Sequence, residues 1–299
     1  MNPRMTQPLL RLLPLLILLA CPGARGAEDA ALRATLERVY HEWRNAVINK
    51  NMDAWKRSTA LYRQVVTKNL IVSGGQLYPD SLFEVPIQPP DITRLRLLEC
   101  DSRGPTAHLA YFGKVDLGLD AEEIPDNVIV MKFYNENGAW KFDTNRIMNL
   151  SQSPEVRAAL QNGQADFLDE PAFTPSGIVP PTPAECRKPP YIAALQIRSY
   201  GYETKASMSG YDYPVVADSA EQQLIIGGLS WGKNDLKLQI KALPIPEDAE
   251  RLLEVNAVII NGTKQKPQVR IFSWETKLAS PPAEVTLPVW VSSATLRGV

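Results

Sequence analysis

The sequence predicts an α+β fold in its N-terminal half, helices packed on a curved antiparallel sheet, followed by an all-β sandwich. Three observations predict it. Apolar residues recur at three- and four-residue steps up to residue 74, then at two-residue steps from residue 93. A stretch with seven prolines in twenty positions, PAFTPSGIVPPTPAECRKPP at 171–190, then divides the chain, and short alternating segments follow it.

The chain opens with MNPRMTQPLLRLLPLLILLAC, where Arg4 and Arg11 flank or interrupt an apolar run too short for a permanent bilayer span. This reads as an export signal over residues 1–26. Two cleavage readings stand: Ala24-Arg25-Gly26 is a small-x-small site before Ala27, while Leu18-Leu19-Ala20-Cys21 is similar to a bacterial lipobox, which would make Cys21 a lipidation site. The lipobox is the one route to a membrane that the sequence offers. Cutting before Ala27 removes Arg4, Arg11 and Arg25 from the 32 basic residues, leaving 29 against 33 acidic ones. With the two signs interspersed and no basic stripe, nucleic acid is not an expected partner. The densest basic stretch, Lys264, Lys266 and Arg270, reads as a solvated hairpin tip. In an exported chain the remaining pair Cys100 and Cys186 predicts a disulfide, the alternative being two separate buried thiols.

From Ala31 to Lys50, Leu32, Leu36, Val39, Tyr40, Trp43, Ala46 and Val47 form the stripe of a first helix. Asn51 is its stop and the N-cap of a second helix, which carries Trp55, Leu61, Tyr62, Val65, Val66 and Leu70 and ends at Gly74-Gly75. Residues 76–92 hold Pro79, Pro86, Pro89 and Pro90 and read as an irregular connection. Strands are expected at Thr93–Glu99, Ala107–Leu117, Val128–Tyr134 and Ala139–Ile147, with a turn at Asp101–Pro105 and a hairpin turn at Asn135–Gly138. Ser153-Pro154-Glu155 is the start signature of a short helix. Beyond Tyr191, strands are expected at Ile192–Ser199, Tyr202–Met208, Gln223–Ile226, Leu236–Leu243, Leu253–Ile260, Val269–Trp274 and Val285–Val291, with turns at Gly227-Gly228, Gly232–Asp235 and Asn261-Gly262. About a hundred residues with that many strands argue for an immunoglobulin-like sandwich architecture, without the Cys-Trp-Cys signature of a true one. The domains are thus 28–150, a helix and linker over 151–190, and 191–299.

A first helix with Trp43 near its end, the step NKNMDAW into the second, and the strand NGAWKFDTNRI together resemble the cone-fold superfamily of nuclear transport factor two, ketosteroid isomerase and the SnoaL-like proteins. The likeness covers residues 28–150 and implies a cystatin-like cone. The long second helix and the proline-rich loop after it depart from the pattern at the mouth of the pocket. Enzymes of the superfamily place a carboxylate base and Tyr or Asp donors inside an apolar cavity. By resemblance, the candidates here are Tyr40, Tyr62, Tyr78, Asp80 and Tyr111. Asp143 is a sixth, though strand alternation sets it opposite Phe142, which makes a surface partner of Lys141 or Arg146 an equal alternative. The resemblance also implies a homodimer formed through the open face of the sheet.

No Walker loop, HExxH or CxxC is present, so no nucleotide, metal or other cofactor is expected. His41 reads as exposed beside Glu42 and Arg44, and His108 as a sheet-surface residue. Trp43, Trp55 and Trp140 fall on buried stripes, while Trp231 lies in a turn. Tyr200, Tyr202, Tyr211 and Tyr213 cluster around one hairpin. The function expected is a non-catalytic exported module of the bacterial cell envelope that binds a small apolar ligand or a protein partner. The alternative is an isomerase or hydrolyase acting on a small hydrophobic substrate in the cone. Replacing Cys21 by Ser is expected to release the protein from membranes on fractionation; unchanged membrane association would reject the lipoprotein reading.

Overall fold

The computed structural model describes residues 23–84, 88–118, 124–170, 173–260 and 268–296. The apolar N-terminal run with Cys21, the Asn261-Gly262 turn, and Lys264 and Lys266 lie outside them. Among the described residues no helix is long and apolar enough to cross a membrane. The architecture is α+β, with helices first and antiparallel sheets after them.

Helix α1 (Gly23–Ile48) buries Leu36, Val39, Tyr40 and Ala46 along one stripe. Helix α2 (Met52–Ser58) starts where the sequence predicts: the Asn51 side chain accepts a hydrogen bond from the Ala54 amide at 3.0 Å. The second helix expected from Asn51 to Gly74 is interrupted. Thr59 is extended and bridges Phe142, and the Ala60 amide donates to the Phe142 carbonyl at 2.8 Å. An unbroken helix would forfeit this pairing at the edge of the sheet, so α3 (Leu61–Ser73) begins anew.

Four antiparallel strands follow in spatial order: β1 (Arg96–Arg103), β2 (Thr106–Lys114), β3 (Asp126–Glu136) and β4 (Ala139–Asn149). Asp101, expected in a turn, instead pairs with His108 in the ladder, and the chain reverses after Arg103. Between β3 and β4 Asn137 and Gly138 take φ of 53° and 84°, the conformation a two-residue hairpin turn needs. One face of the sheet packs Leu109, Tyr111, Ile129, Met131 and Phe133 against α1. The opposite face packs Ala110, Phe112, Val128 and Val130 under Leu160, Leu168 and Phe173, which follow from helix α4 (Pro154–Gln161). Ser153 precedes α4 but its side chain makes no capping bond. His108, expected on the surface, is 1% exposed because this returning segment covers it: its Nδ1 lies 2.8 Å from the Phe173 carbonyl and its Nε2 3.0 Å from Glu99.

The second sheet has seven strands. The two strands expected at 192–208 are one, β5 (Ala193–Met208), with Gly201 at φ +71° where the ladder is interrupted. Its first half lies between β7 (Val216–Leu224) and β9 (Leu252–Ile259). Its second half lies between β6 (Tyr211–Asp212) and β8 (Gly232–Ala242). The strand expected at Gln223–Ile226 is therefore the tail of β7. β10 (Val269–Thr276) extends from β9, β11 (Glu284–Val291) extends from β8, and the two outer strands touch, giving a nearly closed barrel. Leu195, Ile197, Leu236, Leu238, Val255 and Val289 fill it. Their strict alternation with polar neighbours is what made these strands readable.

Helix α3 carries two polar residues that are wholly buried, Asn69 and Ser73, and both face the proline-rich connection. Asn69 donates to the Ala184 carbonyl and accepts from the Cys186 amide, each at 2.9 Å, while Ser73 accepts from the Gly227 amide at 2.8 Å. Lys68 pairs with Glu185. Gly228, at φ +59°, leaves room for the chain to return: a Cβ there would meet Pro189 at 2.3 Å. The expected disulfide is not formed. Cys100 packs on the core of the first sheet, whereas the Cys186 thiol lies 3.4 Å from Ser73 Oγ and packs on the second core. Asn69→Ala removes the part-buried hydrogen bonds to Ala184 and Cys186, so it is expected to lower the unfolding free energy by about 1–3 kcal/mol. Urea denaturation measures it, and an unchanged midpoint would mean that α3 does not hold the connection.

Candidate functional site

A cleft of about 430 Å³ opens between α1, α2, α3 and β4. Its floor is aromatic because the amphipathic stripes of three elements converge there: Trp43 from α1, Trp55 from α2 and Phe142 from β4, with Leu82 from the turn at Asp80–Phe83. The rings of Trp43 and Phe142 are 4.1 Å apart between centroids and tilted by 35°. Pro89 and Pro90 form part of the rim. They are fastened from α1, where the Tyr40 hydroxyl donates to the Pro90 carbonyl at 2.7 Å and Arg44 Nε donates to the Pro89 carbonyl at 3.0 Å.

The polar end of the cleft comes from a bulge. Lys132 pairs with Thr144 and Phe133 with Phe142, which leaves Asp143 as a surplus residue on β4. The surplus turns Asp143 inward, where it is 3% exposed, in place of the surface position that unbroken alternation implies. Its Oδ1 accepts from Arg63 Nε of α3 at 3.0 Å. Burial, and then the neighbouring Asp143 carboxylate, push the Tyr134 phenol well above its ordinary value. The Arg63 guanidinium lies 5.8 Å over the Tyr62 ring, which meets Tyr134 edge-on at 6.3 Å. Thr67, Thr144 and Asn145 complete this end.

Of the six polar candidates read from the sequence, Asp143 lines the cleft and the other five do not. Tyr40 is fully buried and holds the rim from behind, its phenol pushed up by burial. Tyr62 supports Arg63. Tyr78 is half-buried with the Lys68 ammonium 5.6 Å over its ring, its phenol raised by burial. Asp80 is exposed at the start of the turn that delivers Leu82. Tyr111 faces α1, where its hydroxyl donates to Glu37. His41 is half-buried, and among the described residues no group of His, Cys, Asp and Glu could hold a metal ion. Arg63, Thr67 and Asn145 were not singled out from the sequence. The signal for them is a change of parity in β4: Trp140 and Phe142 face the same core as Ile147.

Burial works to raise the Glu37 carboxyl, but the Tyr111 hydroxyl and Arg33 Nε outweigh it and hold the group below the ordinary range. A depressed folded value gives stability that is present above the unfolded value of about 4.3 and lost as pH falls through the folded one. Tyr111→Phe is therefore expected to cost about 1.5–3 kcal/mol at pH 7. That cost should shrink as pH falls from about 4.3 through the lower Glu37 value. Denaturation series at several pH values measure this, and a pH-independent cost would mean that the bond to ionised Glu37 is not its source. Comparison with known proteins gives no match to a protein-family model, a curated protein or a solved structure, so the cleft's own chemistry carries the functional reading.

Proposed function

We propose that the chain is a non-catalytic ligand-binding module, exported to the bacterial cell envelope, whose cleft holds one small, largely apolar molecule. The observation that carries this is the aromatic floor of Trp43, Trp55 and Phe142 in a cleft of about 430 Å³, within the roughly 300–1,000 Å³ of small-molecule sites. Such a floor gains on the order of 25 cal/mol for each Å² of apolar ligand surface it removes from water. The helix-helix-meander order supports reading residues 28–150 as a cone. The two halves of β5 in different strand pairings support a sandwich-like second unit, held by α3 and its bonds to the connection. An envelope protein partner would then be met through that unit. The open sheet face that a cone homodimer uses is covered here by residues through Phe173, so a homodimer needs another surface.

The rival reading, an isomerase or hydrolyase, needs at least two of its polar groups in one cavity. Asp143 alone of those candidates lines the cleft, and Arg63 already bonds it. N-phenyl-1-naphthylamine, an uncharged probe that fluoresces when shielded from water, tests the binding reading. The full chain is expected to bind one equivalent with a dissociation constant on the order of micromolar, and Thr67→Trp, which fills the cleft, to abolish it. Binding unchanged in the filled variant would move the ligand elsewhere, and no binding would remove the reading.

A further inference from the structure

The two ends of the cleft offer a ligand different chemistry. The floor of Trp43, Trp55, Leu82 and Phe142 offers apolar surface. At the other end, Arg63 and Thr67 stand four residues apart on one face of α3, and Asn145 lies beyond the bulge on β4. Asp143 engages only Nε of Arg63. The two terminal amino groups of the guanidinium, the Thr67 hydroxyl and the Asn145 amide have no hydrogen-bond partner among the described residues. Asp143 Oδ1 meanwhile takes its bond from Arg63. The polar end is therefore rich in unmet donors.

We infer that the cleft is built for an apolar monocarboxylate, with its hydrocarbon body on the Trp43–Phe142 floor and its carboxylate on the terminal amino groups of Arg63. This rests on the reading of the cleft as a binding site and names the class of its ligand. The two amino groups lie in one plane and match the two oxygens of a carboxylate, and such charge-assisted pairs are about twice as strong as neutral hydrogen bonds. Thr67 and Asn145 line the same cleft and add a hydroxyl and an amide to its donors. A phosphate monoester fits less well, because Arg63 is the one cation among the described lining residues and Asp143 already offsets its charge. The same offset limits the carboxylate's advantage over a neutral head group to about tenfold, one charge-assisted bond's worth.

The test uses the full chain and displacement of N-phenyl-1-naphthylamine at pH 7.5 by decanoate and by decanol, which share a body and differ in the head group. Decanoate is expected to bind about tenfold more tightly. Arg63→Gln is expected to erase the difference by weakening decanoate. Should that variant unfold because Asp143 is left buried without its cation, the double variant Arg63→Gln with Asp143→Asn retains a neutral hydrogen-bonding pair and must erase the difference as well. Equal binding of the two competitors overturns this inference while the binding reading stands. A decanoate preference that survives the substitutions overturns it too, by placing the carboxylate elsewhere. Failure of the probe to bind at all overturns both.

Discussion

The extra residue that Asp143 adds to β4 sets the geometry on which the N-terminal half depends. Upstream of it the even-numbered residues Trp140 and Phe142 face the helices, and downstream the odd-numbered Ile147 does. At the change of parity a carboxylate is carried inward, and a carboxylate at 3% exposure requires a cation, since an unpaired charge at that depth costs several kcal/mol. Arg63 supplies it, from the first turn of α3. The break between α2 and α3 follows from the same neighbourhood: Thr59 and Ala60 pair with Phe142, the residue before the bulge. One strand irregularity thus fixes where α3 starts, and α3 forms one wall of the cleft.

What α3 does at its other end explains why its polar residues are buried. Asn69 and Ser73 interrupt the apolar stripe, yet neither costs the helix its place, because each bonds backbone groups of the connection or of the second sheet. The same helix therefore reaches Arg63 and Thr67 into the cleft and grips residues 184–186 and Gly227. The remaining face of the first sheet is closed by the chain returning through α4 to Phe173, with Arg146 5.2 Å over the Phe173 ring and His108 between Phe173 and Glu99. That face of the sheet is occupied by the protein's own next segment.

The fold was legible where one period ran undisturbed. The stripe of α1, the hairpin at Asn137-Gly138 and the alternation of Leu236, Leu238 and Ile240 each impose one local structure that burial then rewards. It was illegible where pairing over long sequence distances overrode the period. Thr59 stops a helix because of Phe142, eighty-three positions on. His108 is buried because of Phe173, and two apparent strands fuse at Gly201 because both halves find neighbours in the second sheet. The site suffered most: tyrosines chosen for their chemistry serve as props, as Tyr40 does for Pro90. The cleft's donors come instead from Arg63 and Thr67, whose helical spacing is ordinary until Asp143 gives it an object.

The hydrogen bonds around Asp143 also decide what the pair can do to a bound molecule. A general base must reach its proton along a lone pair directed at the ligand. Asp143 Oδ1 accepts from Arg63 Nε, and the Tyr134 phenol lies beside the same carboxylate. Tyr134 is no better placed as an acid, since burial and the adjacent carboxylate hold its proton more firmly than in water. Using Asp143 as a base would work against its charge-assisted bond to Arg63. Keeping that bond intact orients the free side of the Arg63 guanidinium. On the binding reading proposed above, a fixed donor array beside an aromatic floor favours a ligand by its ground-state shape and charge, whereas catalysis would require bonds that strengthen only as the reaction proceeds.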